Sequence, residues 1–216
     1  VDGTHARRHV NFFEAGELAN RDPRAFLSPA ALVLLRNYGI PVDIRGMAPS
    51  TDPGTIIDKQ ENPPGVAFIS GKRHEALITV RNLGIIDEAG TASYILRVPA
   101  KYRMSVDATP SLGSGVSFSV RDECAENSDM LDELRHSGEV SIMRNISLIS
   151  IIGTHLRRDI FLMTRASKAL ADGGIEILFP DGDMNYNFTL GVKDKDYVRA
   201  IRLLHQEFAK DMSVPT

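Results

Sequence analysis

The sequence predicts an α+β protein: two ferredoxin-like βαββαβ units in tandem, preceded by a short α/β segment. Three observations predict it. The composition is that of an ordinary globular chain, with 43% hydrophobic and 25% charged residues over 216 positions. Strand-like segments recur about 70 residues apart: Ala76–Val80 matches Ser147–Ile151, Met104–Asp107 matches Ile175–Leu178, and Val116–Val120 matches Tyr186–Leu190. Within each copy the order is strand, helix, strand, strand, helix. A period that long exceeds solenoid repeats of roughly 20–50 residues and fits two small sandwiches instead.

Residues 10–38 read as helical, with Phe12, Phe13, Leu18, Leu32, Leu34 and Leu35 at helical spacing and interruptions at Pro23 and Pro29. Residues 39–46 alternate like a short strand. The proline-rich stretch 47–65 reads as a surface connector with a short strand at Thr55–Ile57. "GVAFISG" at 65–71 is the candidate for an additional strand that completes one of the two sheets. In the first copy Ala89–Tyr102 is the helix, and Pro99 predicts that it ends early or kinks. In the second copy the helix spans Arg158–Ala171 and stops at "DGG". The last helix, 194–210, places Val198, Ile201, Leu204, His205 and Phe208 on one face. The expected division is 1–60 for the leading segment, 65–137 for the first unit and 138–216 for the second, with strand 65–71 assignable to either.

A net charge of −3 gives no basic footprint for nucleic acid. The longest apolar runs, such as "LISII" at 148–152, are too short for a bilayer, so no membrane partner is expected. A single cysteine, Cys124, permits no internal disulfide and suits a reducing compartment, hence a cytoplasmic expectation with no signal-peptide pattern. Acidic neighbours (Asp122, Glu123, Glu126) disfavour its thiolate. Of the six histidines only His5 and His9 have helical i, i+4 spacing, and no acid or cysteine joins them. No metal site and no catalytic residue is expected in this chain. Val1 in place of Met fits a piece of a longer protein.

"LITVRNLGIIDEAGTASYILRVPAKYRMSVDATPSLGSGVSFSV" (77–120) resembles the first ACT domain of aspartate kinases: a strand, a glycine-ended loop opening a helix, then a Ser-Val-Asp strand end and a Thr/Ser turn. "EVSIMRNISLISIIGTHL" and the segments to residue 208 resemble the second ACT domain. Residues 13–57 resemble the last part of the kinase catalytic domain, with Glu-Ala-x-Glu-Leu-Ala and Pro-Gly-Thr-x-Ile. The resemblance implies tandem ACT domains after a remnant of the kinase domain. It implies a regulatory module that senses lysine or threonine, and a homodimer paired through ACT domains. ATP and Mg²⁺ are implied for the full-length kinase, not as cofactors of this chain. The family's nucleotide-contacting lysine falls on Arg24, and "VDG" places Asp2 and Gly3 on its nucleotide loop. The glycine-rich start of the kinase is absent, so the chain is not expected to catalyse phosphoryl transfer alone.

A free amino acid needs N–H donors for its carboxylate and oxygen acceptors for its ammonium. A glycine-opened helix N-terminus supplies the first. "IIDEAG" therefore nominates Ile85, Asp87, Glu88, Ala89 and Gly90 as one wall. "SVDAT" and the following turn nominate Ser105, Val106, Asp107, Thr109 and Ser111 as the other, with Asp107 for the ammonium. Taken singly, a helix cap is the commoner role for Asp87 and an Asx-turn suits Asp107, and it is the resemblance by position that turns Asp107 and Gly90 towards a ligand. By resemblance, Asn185 and Asn187 are the second copy's counterparts. Arginines at its helix entrance make the first copy the favoured site. The rival readings are a tandem module that dimerises without sensing, and a kinase whose catalytic residues lie outside this chain.

Overall fold

The computed structural model describes residues 7–21, 27–47, 53–82, 90–112 and 115–212. A leading unit contains β1 (His9–Asn11), α1 (Phe12–Arg21), α2 (Pro29–Tyr38), β2 (Val42–Ile44) and β3 (Thr55–Asp58). β3 lies between β1, which it pairs with in parallel, and β2, which it pairs with antiparallel. Asn11 caps α1: its Oδ1 accepts from the N–H groups of Phe13 and Glu14, and Glu14 Oε2 accepts from Asn11 N, a capping box. Pro29 opens α2 rather than breaking a helix, because Ser28 Oγ caps the turn by accepting from Ala31 N. Val10, Phe12, Ala15, Leu32 and Ile57 form this unit's core.

The remainder is a six-stranded sheet in the order β5-β6-β4-β7-β9-β8. β4 (Gly65–Arg81) and β7 (Glu139–Thr154) run through both repeats. The segment 65–71 is therefore not a separate strand but the first half of β4. Midway along, His74 and Asn145 adopt φ of +61° and +55°, and the β4–β7 register shifts between Lys72 and Glu75. Beyond that point β6 (Gly115–Arg121) joins only Glu75–Arg81, whereas β9 (Asn187–Lys193) joins only Ile146–Ile152. The sheet thus has two halves. α3 (Thr91–Lys101) and α4 (Ser128–Arg135) cover the first, burying Ile95, Val98, Met130 and Leu134 against Ala76, Ile78, Val80, Phe118 and Val120. α5 (Leu162–Asp172) and α6 (Tyr197–Met212) cover the second, burying Leu162, Ala166, Leu170, Leu204 and Phe208 against Ile149, Ile151, Phe188 and Leu190.

Each half is a ferredoxin-like sheet. Side chains alternate across a strand, so Leu77 faces away from the helices that cover Ala76 and Ile78. It meets Ile146, Leu148, Ala108 and Phe179 in a fourth cluster, where the helix-free faces of the two halves come together. They diverge into an open cleft of about 770 Å³ lined by Leu77, Thr79, Ser117, Met143, Phe179 and Asp181.

Three boundaries differ from expectation. α3 closes at Lys101, and Arg103 takes the left-handed conformation (φ +57°) that ends it. Because the chain is still leaving that helix, 104–107 does not form a ladder strand. It reaches the sheet only where Asp107 N donates to Ser119 O and Ser119 N to Ala108 O. The edge strands are instead β5 (Ser111–Leu112), paired with β6, and in the second copy β8 (Phe179–Asp181), paired with β9, in place of 104–107 and 175–178. In the second copy a 3₁₀ turn, Leu156–Arg158, precedes α5, so the helix starts at Leu162 and not at Arg158.

Candidate functional site

Gly90 caps α3 in the left-handed region, φ +98°, with its carbonyl accepting from Tyr94 N. A Cβ there meets nothing within 4 Å, so the glycine is required by its backbone angle and not by a close neighbour. Ile85, Asp87, Glu88 and Ala89 lie outside the described residues, as do Asp2, Gly3 and Arg24. In the second nominated segment Ser105 is exposed, and Val106 packs on the first-half core beside Tyr102 and Met104. Thr109 is exposed and uses its backbone N–H on Asp181 Oδ2 at 3.2 Å. The backbone of Ser111 pairs with Val116 in β5.

Asp107 is the convergence point. Its N–H is used in the sheet, and its carbonyl accepts from Arg21 Nη1 at 2.9 Å. Its carboxylate accepts from Lys72 Nζ at 2.6 Å. β4 thus supplies an ammonium in cis to the carboxylate that the sequence nominates for a ligand ammonium. Beneath the pair lies Glu75, with 0% exposure, and neither of its carboxylate oxygens makes a hydrogen bond. Lys72 Nζ stands 3.4 Å from Glu75 Oε1. Burial pushes the Glu75 carboxyl up to about 7. The ammonium of Lys72 opposes that shift and the charge of Asp107 adds to it.

The second copy is arranged differently. His155 adopts φ +51°, and its Nδ1 lies 3.0 Å from Asn185 Oδ1. The N–H groups of Leu156 and Arg157 donate to the carbonyls of Asn185 and Met184. The donors an amino-acid carboxylate would need at this entrance are thus engaged within the chain. Asn187 does not face the first-copy site; its Nδ2 donates to Glu17 Oε2 at 2.8 Å.

That contact belongs to a set that sequence reading did not find. Glu14, Glu17 and Arg21 recur at i, i+3 and i+7, so they share one face of α1. Glu14, fully buried, accepts from Thr154 Oγ1 at 2.8 Å and from Asn62 Nδ2. Glu17 accepts from Asn187, and burial raises its carboxyl above the usual range. Arg21 holds Asp107. One helix of the leading unit therefore touches the end of β7, the start of β9 and the candidate ligand wall. The spacing of three charges on an otherwise amphipathic helix was the available signal.

Among the described residues no group of three His, Cys, Asp or Glu could hold a metal ion. No helix of the described residues is long and apolar enough to cross a membrane.

Two ferredoxin-like half-sheets that share their long strands and carry their helices outward define a tandem ferredoxin-like fold, the fold also seen in solved aspartokinase regulatory subunits. No family model matches the chain. By sequence, its homologues over most of its length are aspartokinases. Aspartokinase 3, chloroplastic, of Arabidopsis thaliana is 25% identical over 211 residues, covering 93% of this chain and 37% of that protein. E. coli aspartokinase III, solved in complex with lysine and aspartate, aligns over 96% of this chain and 47% of its own, with a TM-score of 0.78 and 22% identity. The regulatory subunit of aspartate kinase from Thermus thermophilus aligns over 67% of this chain and 99% of its own, with a TM-score of 0.56 and 21% identity. The chain thus spans less than half the length of the Arabidopsis relative, while two-thirds of it matches nearly all of a separate regulatory subunit.

Proposed function

We propose that this chain is the regulatory part of an aspartokinase and senses an end-product amino acid, lysine or threonine, at the first ACT unit. The observation that carries the reading is the position of Asp107. It meets the first half-sheet at Ser119, and its carbonyl is held by Arg21 of the leading unit. A ligand that moves this wall pulls on α1. Coupling of that kind requires the ligand to favour one of two arrangements of the α1 contact.

The leading unit supports a partner as well. Val33, Leu34, Tyr38 and Ile40 on and after α2 are all more than half exposed, an apolar face suited to a kinase catalytic domain. In the whole enzyme, ATP and Mg²⁺ would serve phosphorylation of aspartate there. The described residues offer no acidic cluster for Mg²⁺, and no phosphoryl-transfer step is assigned to them. A homodimer would form where a second copy adds to the short edge strands β5 and β8.

Calorimetric titration with lysine, threonine and methionine tests the sensing role. Binding of lysine or threonine, lost in Asp107→Ala, is expected; no heat with any of the three contradicts it. A non-sensing dimerisation module is the second reading, favoured by Lys72 already occupying Asp107 and by the engaged N–H groups of Leu156 and Arg157. It predicts a stable dimer in sedimentation with no response to any amino acid.

A further inference from the structure

The ammonium group of Lys72 makes one short hydrogen bond, to Asp107 Oδ2 at 2.6 Å, and stands 3.4 Å from Glu75 Oε1, beyond a good hydrogen bond. A primary ammonium has three donors. The acceptors around it exceed what Lys72 uses. Both oxygens of the wholly buried Glu75 lack hydrogen bonds, and so does the hydroxyl of the wholly buried Ser119. Ser119 lies opposite Leu77 and Arg121 opposite Glu75, so both project from the same sheet face as Glu75. Arg121 does not relieve Glu75; its guanidinium pairs with Glu123. A buried carboxyl without a hydrogen bond is costly, and two carboxyls beside one cation leave a surplus of acceptors.

Lys72 is also not sealed in place. Its side chain keeps 24% of its exposure, against 0% for Glu75 and 13% for Asp107. It stems from the point where β4 crosses between half-sheets, next to the left-handed His74.

We propose that Glu75 and Asp107 form a primary-ammonium site whose resident occupant is Lys72, and that an effector's ammonium enters by displacing it. The proposal rests on the sensing role given above and adds how that site is regulated. A tethered competitor acts at a high effective concentration, so it weakens every free amine without touching the carboxylate end of an amino acid. Lys72 thereby sets the threshold at which the first unit responds. Because Arg21 holds the Asp107 carbonyl, exchange of the ammonium occurs one residue's length from the α1 contact.

The test uses the full chain with Lys72→Met and calorimetry against n-butylamine, lysine and threonine. n-Butylamine is expected to bind Lys72→Met and not the parent chain, and Asp107→Asn added to Lys72→Met is expected to abolish that binding. An amino acid that binds the parent should bind Lys72→Met at least about tenfold more tightly. If n-butylamine ignores Lys72→Met, or an amino acid binds both chains equally, the displacement is wrong, and sensing stands wherever lysine or threonine still binds the parent chain. If n-butylamine binds Lys72→Met but no amino acid binds either chain, the ammonium site stands and sensing fails. Should Lys72→Met not fold by itself, refolding of Lys72→Gln with and without n-butylamine decides. Recovery only with the amine supports the site, and equal recovery overturns it.

Discussion

At the residue scale the chemistry concentrates in Lys72, Glu75 and Asp107. Glu75 faces the Lys72 ammonium and the Asp107 carboxylate, with Arg121 across the ladder turned to Glu123. Its carboxyl is raised from about 4.5 to about 7, so the folded chain holds its proton over a range in which the unfolded chain releases it. Stability therefore falls as pH rises from 4.5 to 7 and carries a constant penalty above that. Glu75→Gln should match the parent chain at pH 5 and melt higher at pH 8; equal melting temperatures at pH 8 contradict a buried, proton-holding Glu75. Gly90→Val is expected to destabilise by about 1–2 kcal/mol, through the cost of a left-handed β-branched residue and not through a clash. Chemical denaturation measures it. Gly90 was visible in the sequence because it opens a helix, and Asp107 because an acid stands out in the apolar, β-branched run before a glycine-rich turn. Lys72 and Arg21 were not, because their partnership with Asp107 spans 35 and 86 residues.

At the element scale two features matter, α1 and the long strands. α1 is joined to the sheets by the polar side chains of Glu14, Glu17 and Arg21 and by apolar contacts, with Phe13 stacked on Tyr186 and Phe68 packed against the core around Phe12 and Ala15. Glu14→Ala leaves Thr154, Asn62 and the Asn11 N–H short of an acceptor, and a loss of roughly 2–4 kcal/mol is expected. Arg21→Met should leave the two half-sheets folded but raise amide exchange in α1, since it removes the contact with Asp107 while keeping an apolar stem. Unchanged protection of α1 would show that Arg21 is not an anchor. The continuity of β4 could not be read from "GKRHEA", where charged and glycine residues imitate a break between strands. The structure explains those residues by their partners: Arg73 pairs with Asp194, Lys72 with Asp107, and His74 takes the backbone angle that carries the strand from one half-sheet to the other. The helices were easier, because their apolar spacing is a local property, although α3 runs through Pro99 and closes only at Lys101.

At the scale of the whole molecule, the 70-residue repeat made the two ferredoxin-like units legible, while their interlocking was not. Repetition reports what each copy shares. The sharing of β4 and β7 and the meeting of the helix-free faces around Leu77, Leu148 and Phe179 go with register shifts along the β4–β7 ladder that the repeat does not report. This arrangement places a candidate effector wall, both half-sheets and the leading unit within reach of one helix. The central claim is that an amino acid bound at the first unit is felt by α1. Hydrogen–deuterium exchange of the full chain with and without lysine or threonine tests it most directly. The account predicts changed protection in both 105–109 and 12–21 on adding one of them. Protection altered at neither segment, or at 105–109 alone, would contradict it.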